Sequence, residues 1–285
     1  MDTHARHAGS SDSDANLDRD RQRLREFVQS HSRLFVLTGA GCSTDSGIPD
    51  YRDRQGDWKR PQPVTYQAFM GELSTRQRYW ARSLIGWRRF GRALPNAVHH
   101  ALAKLETAGV LPCLVTQNVD RLHQAAGSQQ VIDLHGRLDR VRCMACEVRL
   151  PREAFQAELT RLNPDWIKLD AADAPDGDAD LQGLDFSSFS VPACPHCDGI
   201  LKPDVVFFGE NVPRERVETA MKAVHDADAM LVVGSSLMVY SGYRFALAAA
   251  RAGKPIAAVN LGRTRADALL SLKIEQPCAP MLTDL

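Results

Sequence analysis

The sequence predicts an α/β fold, a doubly wound parallel sheet with a small cysteine-rich module inserted in it. Three observations predict it. Short apolar runs alternate with amphipathic helical stretches, the pattern of parallel strands joined by helices. Several of those runs end in a glycine or polar turn, which gathers the turns along one sheet edge, where open α/β folds bind ligands. Two Cys-x-x-Cys pairs, Cys143 with Cys146 and Cys194 with Cys197, interrupt the pattern midway.

Length and charge set the bounds. A chain of 285 residues holds one large domain, or one with a small satellite. The 35 basic and 35 acidic residues balance, so no overall field draws the chain to nucleic acid or to an anionic membrane. Nothing approaches the roughly 18 consecutive apolar residues of a membrane span. The opening MDTHARHAGSSDSDANLD has neither the apolar core of a signal peptide nor the acid-poor character of a transit peptide. Residues 1–16 are read as a disordered tail. Seven cysteines, four of them in knuckle pairs, fit metal binding in a reducing compartment better than disulfides. The cytoplasm is the default. The main domain is expected over 17–140 and 199–285 and the small module over 141–198, with some helices of 53–95 joining the latter.

In order along the chain, residues 18–30 read as an amphipathic helix with Leu24, Phe27 and Val28 on one face. Leu34–Leu37 is a buried strand. In the turn after it, Gly39, Ala40 and Gly41 let backbone N–H groups approach a phosphate closely, and Ser43, Thr44 and Asp45 offer caps for a following helix. An ordinary strand-to-helix turn is the other reading. Gly47 and Pro49 break that helix early, leaving a mobile loop with Asp50, Tyr51 and Arg52 over the phosphate site. Neither Gly-x-Gly-x-x-Gly nor the P-loop signature is present, which argues against a dehydrogenase and a P-loop enzyme. The arginines at 76, 78, 82, 88, 89 and 92 read mainly as solvated helix faces. Asn96 caps a helix that Gly109 ends, and Leu111–Thr116 is the next strand.

After that strand, Asn118 and Asp120 suit ribose hydroxyls, although Asp120 serves equally as a helix cap. Val131–Leu134 delivers His135 to the same edge. Histidine is near neutral at cellular pH and accepts a proton, which makes His135 a candidate general base beside the plainer reading of a structural hydrogen-bonder. The four cysteines can close a tetrahedral zinc site with no open position, so the metal is structural. Residues 147–193 form a long insert that begins as a helix, Arg152–Leu162, and ends in an acidic loop. Ile200–Phe208, a helix over Pro213–Asp226, the strand Ala229–Val233 with its turn Gly234-Ser235-Ser236, a helix over 243–252, the strand Pro255–Val259 with Asn260-Leu261-Gly262, and Ile274–Pro277 near Cys278 complete the alternation.

TGAGCSTDSGIPDYR, TQNVDRLH, Leu134-His135-Gly136, the paired Cys-x-x-Cys, KPDVVFFGE and GSSLMVY occur in the order in which sirtuins carry them. From about residue 30 to 280 the chain resembles that family of NAD-dependent protein deacylases. PDYR, the run Arg78 to Arg82, the long insert and YSGYRF resemble class II, the branch with the mitochondrial lipoamidase and ADP-ribosyltransferase. Two positions depart. Cys42 stands where the family has an aliphatic residue, and Ser241 where many members have proline; neither is expected to touch the chemistry.

The resemblance implies a Rossmann-like fold that binds NAD, with one structural zinc on Cys143, Cys146, Cys194 and Cys197. It implies that Gly39, Ala40, Gly41, Gly234, Ser235 and Ser236 hold the diphosphate and adjoining ribose. Asp45, Ile48, Pro49, Asp50, Tyr51 and Arg52 shape the cofactor loop and nicotinamide pocket. Gln117, Asn118, Val119 and Asp120 line the nicotinamide-side ribose, and Asn260, Leu261, Gly262 and Cys278 surround the adenosine. An acylated-lysine peptide adds as a strand between Gly209-Glu210 and Met238-Val239-Tyr240, its acyl chain passing Val206 and Phe207. His135 takes a proton from the ribose, and free lysine, nicotinamide and O-acyl-ADP-ribose leave. Asn118 and Asp120 assist. Tyr79 and Arg82 resemble the pair with which the desuccinylase branch grips an acidic acyl chain, or else they lie on a helix surface. Protein mono-ADP-ribosyl transfer is the alternative activity.

Overall fold

The structure, a computed structural model, describes residues 8–169, 173–179, 181, 183–283 and 285. The first half of the chain runs α1 (Ala8–Gln29), β1 (Leu34–Thr38), α2 (Tyr66–Gly71), α3 (Leu73–Phe90), α4 (Ala97–Thr107), β2 (Cys113–Thr116), α5 (Leu122–Ala125) and β3 (Val131–Asp133). The inserted part follows with β4 (Gly136–Cys143), β5 (Arg149–Pro151), α6 (Arg152–Leu162), β6 (Asp173–Ala174), β7 (Asp178–Ala179) and β8 (Leu201–Val205). The chain closes with α7 (Arg214–Asp226), β9 (Ala229–Val233), α8 (Tyr240–Arg251), β10 (Ile256–Val259), β11 (Leu272–Ile274) and α9 (Cys278–Leu282).

Six strands form one sheet in the order β11-β10-β9-β1-β2-β3, and every pairing in it is parallel. That is the doubly wound order, and its direction of winding reverses between β1 and β9. Strand periodicity explains the two covered faces. Leu34 and Val36 of β1 point into a core with α1, α4 and α9, whereas Phe35 and Leu37 point into a core with α7 and α8.

A three-stranded antiparallel sheet, β5-β4-β8, stands beside this body. A third core joins Val141, Cys143 and Leu201 to Phe69, Trp80 and Leu84 of α2 and α3 and to Phe155 and Leu159 of α6. Buried Arg152 ties α6 to α3, donating to the Ser83 carbonyl at 3.2 Å with its guanidinium 4.8 Å from the Trp87 ring centre. Its aromatic surroundings satisfy a charge that burial alone would penalise.

Several elements differ from the sequence reading. The tail expected over 1–16 is helical from Ala8, and residues 1–7 lie outside the described residues. Ion pairs three residues apart, Arg21 with Asp18 at 3.0 Å and Arg23 with Asp20 at 3.2 Å, and the docking of Leu17 and Leu24 on the first core support a helix whose composition is polar. The stretch Ile200–Phe208 does not return to the main sheet. Its strand ends at Val205 and pairs with β4, which sequence periodicity cannot specify. The last strand is Leu272–Ile274 rather than Ile274–Pro277, because Pro277 opens α9. The helix expected over 243–252 begins at Tyr240, so extended backbone stops at Val239.

Candidate active site

Two small-residue turns meet where the winding reverses. Gly39, after β1, donates its N–H to the Val233 carbonyl at 3.0 Å, and Gly41 donates to the Gly234 carbonyl at 2.9 Å. A Cβ on Gly39 would stand 2.7 Å from the Ser235 Cβ, and one on Gly234 would stand 2.3 Å from the Cys42 nitrogen. Gly234 also sits at φ +62°, a left-handed backbone that favours glycine. The glycines therefore bring two backbones together. The N–H groups of Gly39 and Gly41, expected to face a phosphate, are spent on that contact.

The residues at 43–45 cap no helix by their side chains. Two short 3-10 turns, Ala40–Cys42 and Thr44–Ser46, occupy that stretch, and Gly47 at φ +82° ends the second. Ser43 turns inward instead. Its hydroxyl donates to Asp120 Oδ2 at 2.7 Å and accepts from Asn118 Nδ2 at 3.0 Å. Asn118 Nδ2 also donates to the Gly39 carbonyl at 3.1 Å. Asp120 Oδ1 accepts the Leu122 N–H at 2.9 Å at the start of α5, so this carboxylate does cap a helix while it braces the glycine turn. Burial raises the Asp120 pKa, and the bonds from Leu122 and Ser43 oppose that. Val119 is buried beneath them.

Gln117 links the turns to the histidine. Its Oε1 accepts from the Ser235 hydroxyl at 2.6 Å, and its carbonyl lies 3.0 Å from His135 Nδ1. A carbonyl only accepts, so Nδ1 carries the proton and Nε2 has a free lone pair. Ser241 Oγ stands 2.8 Å from Nε2 and donates to it. Burial drives the His135 pKa down to about 4; the Gln117 carbonyl opposes the shift, and Arg216 and Arg244 add to it. The ring is thus a neutral base at pH 7. Ser241, expected to stand apart from the chemistry, touches the candidate base His135 directly. Sequence reasoning missed it because 106 positions separate the pair, and only the departure from proline marked the residue.

The loop after Gly47 is held by its own contacts and by the neighbouring turns. Arg52 Nη1 donates to the Gly56 carbonyl at 2.7 Å, and its guanidinium lies 3.9 Å from the Trp58 ring centre. Asp50 pairs with Lys59, and Tyr51 meets Trp58 edge-on at 6.0 Å. Ile48 is buried, whereas Asp45 is exposed. Asp45, Ile48 and Pro49 line a cavity of about 550 Å³ together with Asn96 and Asp178. Arg54 packs on Gly262, leaving no room for a Cβ there. Asn260 and Cys278 are buried at the ends of the neighbouring strands, while Leu261 is exposed; burial takes the Cys278 thiol up to about 12. Ser236 accepts the Arg265 N–H through its carbonyl at 2.8 Å.

On the opposite flank, Val206 donates its N–H to the His135 carbonyl at 2.8 Å, which ties the segment after β8 to the turn that carries His135. Glu210 turns inward, accepting from the Phe207 N–H at 2.9 Å and pairing with buried Lys202 at 3.0 Å. Gly209 and Met238 present carbonyls that accept from Gln67 at 3.1 Å and from Arg265 at 3.2 Å, two partners that sequence reading did not single out. Tyr79 lies against Phe207 with ring centres 5.3 Å apart. Arg82 is no solvated residue: its Nη2 stands 2.8 Å from Asp178 Oδ2. Arg88 likewise donates to the Ile167 carbonyl at 3.1 Å, so part of the arginine row on α3 anchors the insert.

Cys143, Cys146, Cys194 and Cys197 bring their sulfurs within 4.8 Å of one another. The Cys143–Cys197 and Cys146–Cys194 separations, 3.5 and 3.7 Å, are near the edge of about 3.8 Å that a zinc–sulfur tetrahedron requires. The N–H groups of Cys146 and Ala145 point at the Cys143 sulfur and favour its thiolate. These residues fit a closed zinc site. Cys42, His99 and His123 also cluster. His99 Nδ1 accepts the Asn96 N–H at 3.2 Å, which leaves the ring proton on Nε2 and removes it as a ligand.

Fold and site together define an α/β enzyme with a ligand site at the carboxyl edge of its parallel sheet and a separate module whose four cysteines fit a metal ion. The chain belongs to the Sir2 family, whose family model matches residues 39–241. It is 74% identical over 262 residues to a protein of Xanthomonas campestris pv. campestris (strain 8004) named NAD-dependent protein deacetylase, covering 92% of this chain and 89% of that one. It is 69% identical to NAD-dependent protein deacetylase 2 of Bradyrhizobium diazoefficiens, covering 93% and 97%. A solved structure of Sir2 with a p53 peptide and NAD+ superposes with a TM-score of 0.74 at 31% identity, covering 92% of this chain and 95% of that one. No helix among the described residues is long and apolar enough to cross a membrane.

Proposed function

We propose that this chain is an NAD-dependent protein lysine deacetylase of the class II type, acting in the cytosol. The observation that carries the reading is the setting of His135. A backbone carbonyl fixes its tautomer, its basic nitrogen accepts from the Ser241 hydroxyl, and Gln117, whose carbonyl holds the ring, also bonds Ser235 of the second small-residue turn. The names of the relatives support deacetylation. They do not favour mono-ADP-ribosyl transfer.

The residues divide the work. The segments 17–140 and 199–285, apart from β8 that pairs with β4, hold NAD, with Gly39, Ala40, Gly41, Gly234, Ser235 and Ser236 at the diphosphate, Gln117, Asn118 and Asp120 at the nicotinamide-side ribose and Asn260 and Cys278 at the adenosine. The module over 141–198, with helices of 53–95 packed on it, holds zinc and one wall of the peptide cleft. NAD, when bound, supplies a ribose carbon that becomes electrophilic as nicotinamide departs. The His135 lone pair that now accepts the Ser241 proton takes the proton of a ribose hydroxyl, and the Gln117 carbonyl steadies the resulting imidazolium through Nδ1–H. Phe207 and Tyr79 exclude water from the acyl chain. His135→Ala is expected to lower NAD-dependent deacetylation by at least ~10²-fold with NAD binding retained; near-normal turnover would remove His135 from this role.

A further inference from the structure

An exposed aromatic ring flanked by cations lies within a helical turn of the base. Ser241, whose hydroxyl stands 2.8 Å from His135 Nε2, is the second residue of α8. Tyr240 precedes it, and Arg244 follows one turn later on the same side of the helix. The Tyr240 side of this turn is open to solvent, with the residue 55% exposed. Two guanidinium groups flank its ring, Arg244 at 5.0 Å and Arg265 at 6.0 Å from the ring centre. Arg265 is seated by the Tyr243 ring at 4.4 Å and by the Met238 carbonyl, to which its Nη1 donates at 3.2 Å.

Among the described residues, no carboxylate of the neighbouring elements neutralises these cations. Beside Arg265, Asp267 is taken up by Lys273 at 2.9 Å and by the Thr264 hydroxyl at 2.6 Å. On α7, which packs against α8, Glu218 pairs with Arg214 at 2.6 Å, and Glu215 forms no ion pair with Arg216 or Arg244. Glu210 is turned inward onto Lys202 at 3.0 Å. The Arg244 Nε is buried without an acceptor, a cost that a bound anion would offset. The positive field reaches the base as well, since Arg216 and Arg244 both push the His135 pKa down.

We propose that Tyr240, Arg244 and Arg265 form a subsite for an acidic residue of the protein substrate near the acetylated lysine, so that the enzyme selects acetyl-lysines in acidic segments. The inference rests on the deacetylase reading above. The acetylated lysine has to bring its acyl group to His135. An extended peptide advances ~3.3 Å per residue, so neighbours one to three places from that lysine pass over the surface around Tyr240. An Asp or Glu there gains planar, charge-assisted bonds from two guanidinium groups, with its methylenes on the ring. A Lys or Arg in the same place is repelled.

The test compares kcat/KM, with NAD, for acetyl-lysine peptides that differ only at the three residues on each side of the lysine. One carries glutamine throughout, a second glutamate on the N-terminal side and a third glutamate on the C-terminal side. In the wild type one glutamate peptide should exceed the glutamine peptide at least about fivefold, ~1 kcal/mol of discrimination, and the excess should shrink at high ionic strength. Arg244→Gln and Arg265→Gln should each reduce that excess and together bring it within twofold of unity. The ratio is taken within one protein, so a general loss of folding or of His135 function cancels; Arg265 is exposed, which spares its variant the buried part of Arg244. A wild-type ratio within twofold of unity on both sides would overturn the proposal, as would an excess that survives loss of both arginines. A defect of the variants that appears in the KM for NAD, equal for every peptide, would place the arginines at the cofactor and overturn it too. Fluorescence anisotropy of the labelled peptides reads the same preference as a Kd without turnover. Absence of NAD-dependent deacetylation of all three peptides defeats the deacetylase reading, whereas normal turnover with a flat ratio defeats only the acidic subsite.

Discussion

Lowering the pH from 8 to 6 should leave the kcat/KM of this enzyme for an acetyl-lysine peptide almost unchanged. The base must be neutral to take a proton, and kcat/KM reports the pKa of the free enzyme, the state described by the structure. With the His135 pKa near 4, about 99% of the ring is neutral at pH 6. An ordinary histidine with a pKa near 6.5 would be only about one quarter neutral at that pH, a fourfold loss of rate. The cause is burial, against which the Gln117 carbonyl works only in part. The assay is initial-rate deacetylation with peptide and NAD both limiting from pH 5.5 to 8.5, with nicotinamide release followed in the same samples. An acid limb centred near pH 6.5 would refute the reasoning, since it would show a solvated base or a different one.

The remaining predictions use other parts of the structure. His99, fully buried, has its pKa lowered to about 4 by burial, with His100 adding to the shift. A folded pKa below the unfolded value gives stability that is full above about pH 6.5 and is lost as pH falls toward 4; between pH 7 and 5 denaturant melts of wild type and His99→Gln should differ by about 2 kcal/mol in this loss. A parallel pH profile would remove the buried neutral ring. Ser241→Ala removes the donor that occupies the His135 lone pair, a bond worth ~1 kcal/mol that has to break before the base acts, so kcat/KM should rise up to about fivefold without a change in melting temperature; a fall in rate would mean that Ser241 is needed to align the ring. Cys146→Ser should release the metal, read with a chromogenic chelator, and unfold the small module, because structural zinc contributes ~10–16 kcal/mol of apparent binding energy. A folded, metal-loaded variant would contradict the closed site. Gly234→Ala places a Cβ against backbone atoms that cannot turn away; NAD affinity should drop at least ~10-fold, consistent with ~1–3 kcal/mol of strain, and unaltered affinity would separate this contact from cofactor binding.

How much of this was legible depends on whether the signal was local. The β1 strand and its glycine turn were readable because a fully apolar run followed by three small residues has few other uses. The cysteine pairs were readable because thiols at knuckle spacing seldom occur for packing alone. What escaped was every pairing made by the fold. Ser241 meets His135 only because the start of α8 crosses the turn after β3, and neither residue announces the other. Gly86 and Arg82 look like an ordinary glycine and arginine of a helix until Gly177 and Asp178 are laid on them. The strand β8 carried the pattern of a buried strand, but pattern does not name the neighbour, and its neighbour is β4. Ser43 offered a cap in sequence and became a brace for Asp120 because Gly47 ended the turn before a helix could form.

Mass spectrometry of an acetyl-lysine peptide incubated with and without NAD tests the central claim most directly. The account expects deacetylated peptide only with NAD, accompanied by equal amounts of nicotinamide and O-acetyl-ADP-ribose, and none of the three with His135→Ala. Deacetylation without NAD, or nicotinamide release with the peptide left acetylated, would contradict it.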